Sequence, residues 1–345
     1  MRSSTECILG QKHVIATLVN VFEECSKIHY LGASFRNPRT KSTQRVYPIT
    51  WNALRPSGRN RAGMSRHATM ASTGKDDVWD SLRKGAQELV EKEPLLGGFV
   101  YSKILNQPTF ERSLAFLLAT KLASSTVLAS QWNDLFIDAL TSSAEEETSM
   151  GGRGSPTPGT GSIADAARAD LRAILSRDPA CPSYTHAFLF FKGFQGLQAQ
   201  RVSHWLWSKG RTVIACFVQS SISEVFGMDL HPGAKFGRGI LVDHATGIVV
   251  GETAVVDDDC SLFHGVTLGG TGKVSGDRHP KLQKRVVVGA HASVIGNISI
   301  GHDSKIGASA SILHDLPPKS VVVGHKGIVI QKRGNKGKHS LLSKL

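Results

Sequence analysis

Between Phe236 and Ile312 the chain places an inward-suited residue at every sixth position. Phe236, Val242, Ile248, Ala254, Cys260 and Val266 form one run, and Val250, Val256, Leu262 and Leu268 follow two residues behind. The period resumes at Val288, Val294, Ile300, Ile306 and Ile312, with Val286, Ala292, Ile298, Ser304 and Ala310 two residues ahead. A helix repeats at about 3.6 residues and a strand at 2, so neither gives this pattern. A hexapeptide repeat builds a parallel β-helix, each repeat being one short strand and a corner. Positions two apart on a strand point the same way, so both series face the core. The period fails across Gly269–Arg285, GGTGKVSGDRHPKLQKR, where no inward position continues and the chain must loop out of the coil. Long irregular loops on rigid scaffolds are where function concentrates.

Upstream of the first hexad the pattern is helical. Val78, Leu82, Leu89 and Val90 share a face that closes at Pro94, and a second amphipathic stretch follows Pro108 with Phe116, Leu117 and Leu122. A third runs from Trp132 to Leu140. Glu145–Gly161 contains GGRGSPTPGTG and reads as irregular, flexible chain. Helix resumes with Ile163, Ala167, Leu171 and Ile174 and stops at Arg177-Asp178-Pro179, since proline disfavours a helical residue before it. Two further helices are expected over Phe188–Trp207 and Thr212–Phe226. The fold class is therefore α+β, an all-α domain followed by a β-solenoid. The expected segments are a basic extension over 1–75, a helical domain over 76–226 with a flexible insertion at 144–162, the solenoid over 227–325 with its excursion loop at 269–285, and a basic tail over 326–345.

Charge changes the picture mainly by its distribution. The net charge is +13, but residues 1–75 carry 12 Lys and Arg against 3 Asp and Glu, and residues 326–345 carry 6 basic residues and no acidic one. The body between them is slightly acidic, which argues against a nucleic-acid partner. No apolar run reaches the roughly 18 residues of a membrane span. Five scattered cysteines, Cys7, Cys25, Cys181, Cys216 and Cys260, lack metal-ligand or redox spacing and suggest reduced thiols in a reducing compartment. Cytoplasm is the expected location. Plastid or mitochondrion is the alternative, because residues 1–75 are rich in Ser, Thr and Arg and poor in acids, as transit peptides are. Cys260 falls in the inward series and reads as a small core residue.

Three short segments carry candidate chemistry: Asp229-Leu230-His231-Pro232 at the entry to the solenoid, Asp243-His244-Ala245-Thr246-Gly247 in its early coils, and Asp277-Arg278-His279-Pro280 in the excursion. A histidine can take a proton near neutral pH, and a carboxylate can orient it. Arginine offers a planar fork for a carboxylate. Spacing alone leaves several classes open, among them an incidental surface pair, an acyltransferase, a scaffolding subunit and a zinc-dependent solenoid hydratase. No compact metal-ligand motif supports the last.

The run Asp243–Pro280, DHATGIVVGETAVVDDDCSLFHGVTLGGTGKVSGDRHP, resembles the signature region of the serine O-acetyltransferases, hexapeptide-repeat acyltransferases. RDPA at Arg177–Ala180, FKGFQGLQAQRVSHWLW at Phe191–Trp207 and GMDLHPGAKFGRG at Gly227–Gly239 are collinear with it. The resemblance covers about residues 76–325 with a gap at the 144–162 insertion. It implies a left-handed parallel β-helix of three hexads per coil and transfer of an acetyl group from acetyl-CoA to the hydroxyl of L-serine, the first step of cysteine biosynthesis. By resemblance His244 is the general base and Asp229 the carboxylate that orients it. Asp178 and Asp243 stand near the serine amino group, and Arg278 and His279 receive its carboxylate. Gly270, Ala290 and Ala308 line the CoA arm. The resemblance further implies no permanent cofactor, no metal, and a homotrimer or a hexamer made of two trimers. The chain departs from the family pattern at its end. The segment resembling GNPAR is replaced by Gly324-His325-Lys326-Gly327-Ile328. The terminal isoleucine that docks into the cysteine synthase (O-acetylserine sulfhydrylase) is replaced by Leu345 on a basic tail, which argues against that complex.

Overall fold

In a computed structural model, the described residues are 76–149, 158–273, 275–325 and 327–329, so the expectations for 1–75 and for nearly all of the 326–345 tail lie outside them. Helix α1 (Asp77–Lys92) starts where the Asp76 carboxylate accepts the main-chain N–H of Trp79 at 3.0 Å, an N-cap that also favours the positive end of the helix. Three short turns, Pro94–Leu96, Gly97–Val100 and the π-turn Tyr101–Leu105, lead to α2 (Phe110–Leu122). Helix α3 (Ala129–Ser149) continues past Glu145 into the stretch read as irregular. Its Ala-Glu-Glu-Glu run is strongly helix-forming, and the breakers begin only at Gly151. Helix α4 (Ile163–Arg177), capped by Ser162, buries Ile163, Ala167, Leu171 and Ile174 as its periodicity predicts. The single helix expected over Phe188–Trp207 is two, α5 (Tyr184–Phe190) and α6 (Lys192–Ser208), because Phe191 between them is extended. Helix α7 (Thr212–Phe226) ends on Gly227, whose φ of 70° supplies the left-handed C-cap. No helix among the described residues is long and apolar enough to cross a membrane.

The solenoid begins at once after that glycine. In chain order its strands are β1 (Met228–Leu230), β2 (Lys235–Phe236), β3 (Leu241–Val242), β4 (Ile248–Val250), β5 (Val255–Val256), β6 (Ser261–Leu262), β7 (Thr267–Gly269), β8 (Lys281–Leu282), β9 (Val287–Val288), β10 (Ser293–Ile295), β11 (Ser299–Ile300), β12 (Lys305–Ile306), β13 (Ser311–Ile312), β14 (Val321–Val323) and β15 (Ile328–Val329). They form three faces: β1-β4-β7-β10-β13 on the first, β2-β5-β8-β11 on the second, and β3-β6-β9-β12-β14-β15 on the third. All pairs are parallel except β14–β15, whose antiparallel hairpin turns through Gly324 and Gly327, with φ of 77° and 63°, and covers the open edge of the third face. The hexad residues fill the core, Cys260 among them, and burial pushes its thiol up to about 12.

Strand register shows where the coil departs from three hexads. Val250 pairs with Leu268 and Val294 with Ile312, steps of 18 residues. Met228 pairs with Ile248 and Val242 with Leu262, steps of 20, so two extra residues lie between Val242 and Val250. Val256 pairs with Leu282, a step of 26, so eight extra residues lie between Leu268 and Leu282. The excursion is correspondingly shorter than the loss of period implies. Leu282 is buried and in register with both Val256 and Ile300, so the chain leaves the coil over Gly270–Pro280 rather than Gly269–Arg285. One apolar residue between two polar outward ones, Lys281 and Gln283, is too little signal to continue a period.

At the corner between the second and third faces, Asp259, Arg285 and Asp303 take left-handed backbone, with φ of 62°, 60° and 61°. That conformation is costly for a residue with a Cβ. Main-chain N–H groups stack them coil on coil, and their charges alternate. Arg177 Nη2 lies 2.9 Å from Asp259 Oδ1, and Arg285 Nε lies 2.6 Å from Asp303 Oδ1. Each pair is weak on an exposed surface, but the column opposes a slip by one coil.

The helices are joined to the solenoid by buried charge. The Asp170 carboxylate on α4 is fully buried and accepts from Arg201 Nη2 at 2.8 Å, Gln198 Nε2 at 2.9 Å and the N–H of Ile240 at 2.7 Å. Arg201 on α6 donates onward to the carbonyls of Phe236 and Gly237. Nearby, Gly193 lets α6 approach the Val242 carbonyl so closely that any Cβ would clash. Removing one partner of a buried pair strands the other charge. Asp170→Ala is expected to lower unfolding free energy by about 3–5 kcal/mol, measured by urea unfolding. Asp77→Ala, which deletes the exposed Arg172–Asp77 pair, should cost less than about 1 kcal/mol.

Candidate active site

The two places where the coil carries extra residues hold most of the candidate side chains. The two-residue expansion is the corner from the third face to the first, Asp243–Gly247. His244 and Ala245 take positive φ there, 55° and 64°, and carry the His244 ring outward with 74% of its side chain exposed. The corner is braced from α6: Lys192 Nζ donates to Thr246 Oγ1 at 2.6 Å, and that hydroxyl lies 3.3 Å from the His244 carbonyl. Asp243 Oδ1 stands 3.9 Å from His244 Nε2. The ring also meets His264 of the next coil edge-on at a centroid distance of 5.6 Å, and His264 meets His291 at 4.9 Å. Ala290 and Ala308 occupy this same corner in higher coils, linked by the Ser309 N–H to the Ala290 carbonyl at 2.8 Å.

The eight-residue expansion lies at the opposite edge of the first face, where it turns into the second. Here Arg278 and His279 return from the loop onto Gly251-Glu252-Thr253 of the coil beneath. Arg278 Nη2 donates to Glu252 Oε2 at 2.7 Å and Nη1 to the Gly276 carbonyl at 2.9 Å. The Arg278 hydrogen bond holds the Glu252 carboxyl below its ordinary range. His279 is 7% exposed, and its ring lies on Gly251, where a Cβ would overlap it. Burial, and then the positive charges of Arg278 and Lys281, push its pKa down. His231, half-buried and edge-on to Trp207 at 5.1 Å, is also held down by burial; its Nδ1 accepts the Gly233 N–H at 3.0 Å. Gly270 borders this group: a Cβ there would sit 3.3 Å from the Arg278 carbonyl.

The structure thus brings Asp243 to His244, and Gly270 to Arg278 and His279, but it does not bring these two groups together. Strand β4 separates them, about 10 Å of backbone at roughly 3.3 Å per residue. Asp229 points outward from β1 on the same face, opposite Val249, and accepts from Gln219 Nε2 at 2.7 Å. Neither a hydrogen bond nor an ion pair joins it to His244 among the described residues. Asp178 caps the end of α4 and accepts the Ala180 N–H at 2.8 Å, while its neighbour Arg177 grips the Gly239 and Asp259 carbonyls. Glu252, Thr253 and Lys192 join the site without having been singled out from sequence. Glu252 and Thr253 follow the glycine of a GET triplet inside the quoted run, and Lys192 stands in FKGF. Among the described residues no group of three His, Cys, Asp or Glu side chains is placed to hold a metal ion.

A family model described as serine acetyltransferase, N-terminal, matches residues 78–199. Serine acetyltransferase 2 of Arabidopsis thaliana is 45% identical over 256 residues, 74% of this chain and 74% of that one. The structure of soybean serine acetyltransferase complexed with serine is similar at a TM-score of 0.67 and 46% identity, over 73% of this chain and 97% of the soybean chain. Serine acetyltransferase from Brucella abortus strain S19 in complex with coenzyme A is similar at a TM-score of 0.68 and 40% identity, over 76% of this chain and 98% of that one.

The lowered histidines set a pH dependence of stability. His204 on α6 is the clearest case: burial depresses its pKa, while Nδ1 lies 2.7 Å from the Pro232 carbonyl. Below the unfolded value of about 6.5 the unfolded chain binds protons that the folded chain does not. Unfolding free energy is therefore expected to fall as pH drops from 7.5 to 5.5. Urea midpoints across that range check this, and His204→Gln should flatten the slope.

Proposed function

The chain belongs to the serine acetyltransferase family, and on that premise we propose that it moves the acetyl group of acetyl-CoA to the hydroxyl of L-serine with His244 as general base. The observation carrying this reading is that both departures from the 18-residue coil border one face of the solenoid, one presenting His244 and the other Arg278 and His279. His244 takes the proton from the serine hydroxyl as its oxygen attacks the thioester carbonyl carbon. The tetrahedral intermediate then expels the thiolate by breaking its C–S bond, and the imidazolium returns the proton to sulfur. O-acetylserine and free CoA result. Asp243, 3.9 Å from His244, stands with Asp178 on the serine ammonium side, and Asp229, outward on the same face, takes the orienting role. Arg278 and His279 receive the serine carboxylate, which gives a zwitterion opposite charges at opposite ends.

The CoA arm runs up the His244 corner, past Ala290 and Ala308, with Gly270 contributed by the opposite edge. Since β4 separates base and receptor in one chain, the working site draws them from neighbouring copies of a trimer, whose helical domains can pair two trimers into a hexamer. Small residues at 290 and 308 support close approach of a pantetheine arm, and the relative solved with coenzyme A supports the ligand. The relative solved with serine supports the acceptor. The scattered cysteines favour a reducing compartment, and we assign the enzyme to the cytoplasm.

Thiol release from acetyl-CoA in the presence of L-serine tests the reaction, and no release at millimolar serine overturns it. His244→Ala is expected to lose about 10²–10⁴-fold in kcat, whereas Arg278→Ala should chiefly raise the serine KM. Co-expressed His244→Ala and Arg278→Ala chains should regain turnover at low serine that neither has alone. Mixed oligomers as inactive as their parents would place base and receptor in one chain.

A further inference from the structure

Thr253 makes more contacts to the Arg278–His279 segment than any residue so far given a role. Its Oγ1 accepts the main-chain N–H of Arg278 at 3.0 Å and that of His279 at 3.1 Å. Its own N–H donates to His279 Nδ1 at 3.1 Å, and Oγ1 stands 2.9 Å from the same nitrogen. Its carbonyl accepts from Lys281 Nζ at 2.9 Å, just beyond the point where the chain re-enters the coil. A ring nitrogen that accepts an N–H carries no proton, so a neutral His279 must carry its hydrogen on Nε2. Gly251 gives that ring a flat seat, and the Glu252 carboxylate grips the neighbouring guanidinium.

From this geometry we propose that Thr253 is the positioning residue of the carboxylate receptor: its hydroxyl pins the returning loop by two main-chain hydrogen bonds, and its N–H and hydroxyl at Nδ1 hold His279 in the tautomer with its hydrogen on Nε2. The inference rests on Arg278 and His279 receiving the serine carboxylate. It assigns Thr253 an effect on serine binding rather than on acetyl transfer. A hydroxyl is required there because its lone pairs collect two N–H groups that the loop's departure from the coil leaves without ladder partners. Valine matches the shape and offers no acceptor.

The test measures steady-state kinetics of the full-length enzyme with Thr253→Val, Thr253→Ala and Thr253→Ser, alongside Arg278→Ala. Loss of one to two hydrogen bonds predicts a serine KM roughly tenfold higher in the Val and Ala variants, with kcat and the acetyl-CoA KM little changed, and Ser restoring the wild-type value. Recovery in Thr253→Ser, together with a change confined to the serine KM, is a pattern that loosened packing alone would not produce. An unchanged serine KM in Val and Ala, while Arg278→Ala raises it, overturns the role of Thr253. An unchanged KM in Arg278→Ala overturns the receptor itself. If Val and Ala fail to fold while Ser folds, Thr253 is structural and the proposal falls.

Discussion

The buried pairing of Asp170 with Arg201 is the constraint on which the rest of the molecule depends. A carboxylate with no access to water is tolerable only when its oxygens are filled, and here an arginine, a glutamine amide and a main-chain N–H fill them. Two of those donors come from α6 and the third from the first coil. The helical body and the solenoid therefore cannot shift against each other without exposing or stranding charge. Gly193 and Lys192 lie on the same helix, so the joint also fixes the distance from α6 to the corner bearing His244. The placement of an exposed corner is thus set by a polar core contact some way from it.

The parallel β-helix explains why the reactive groups sit where they do. Along its regular stretches each outward position repeats every coil, and little distinguishes one coil from the next. Distinct geometry needs a local excess of chain, and this solenoid has two, one bearing His244 and the other Arg278 and His279. The first is braced from α6 through Lys192 and Thr246, and the second by the coil under it through Gly251, Glu252 and Thr253. Irregular backbone supplies the placement and the coil supplies the rigidity.

Sequence periodicity reveals the solenoid because burial acts on every hexad in the same way, and even Cys260 follows it. It fails where one residue carries the signal. Leu282 is invisible between Lys281 and Gln283, and the break at Phe191 is invisible because an aromatic residue fits either a helix or a joint. The expansion at Asp243–Gly247 escapes notice for a different reason. Two extra residues preserve the inward parity of a strand, so Ile248 and Val250 both satisfy the pattern. Roles for individual side chains rest on the family resemblance, since the partners of Glu252 and Thr253 are distant in sequence and meet them only through the coil. Nothing local to the GET triplet announces that His279 lies on its glycine.

The alternating column Asp259, Arg285, Asp303, with Arg177 of α4 paired to its lowest member, bears on how such a chain can grow or shrink. Deleting or duplicating one coil would bring like charges into adjacent layers, because the sign flips at every step. Adding or removing two coils together restores the alternation. Recombination within the repeat is thus subject to a parity rule, under which length changes in even numbers of coils are tolerated and odd ones meet electrostatic resistance. Surface charge thus adds a small term to the number of layers, and to the height of any groove along them, that hydrophobic periodicity alone would leave free.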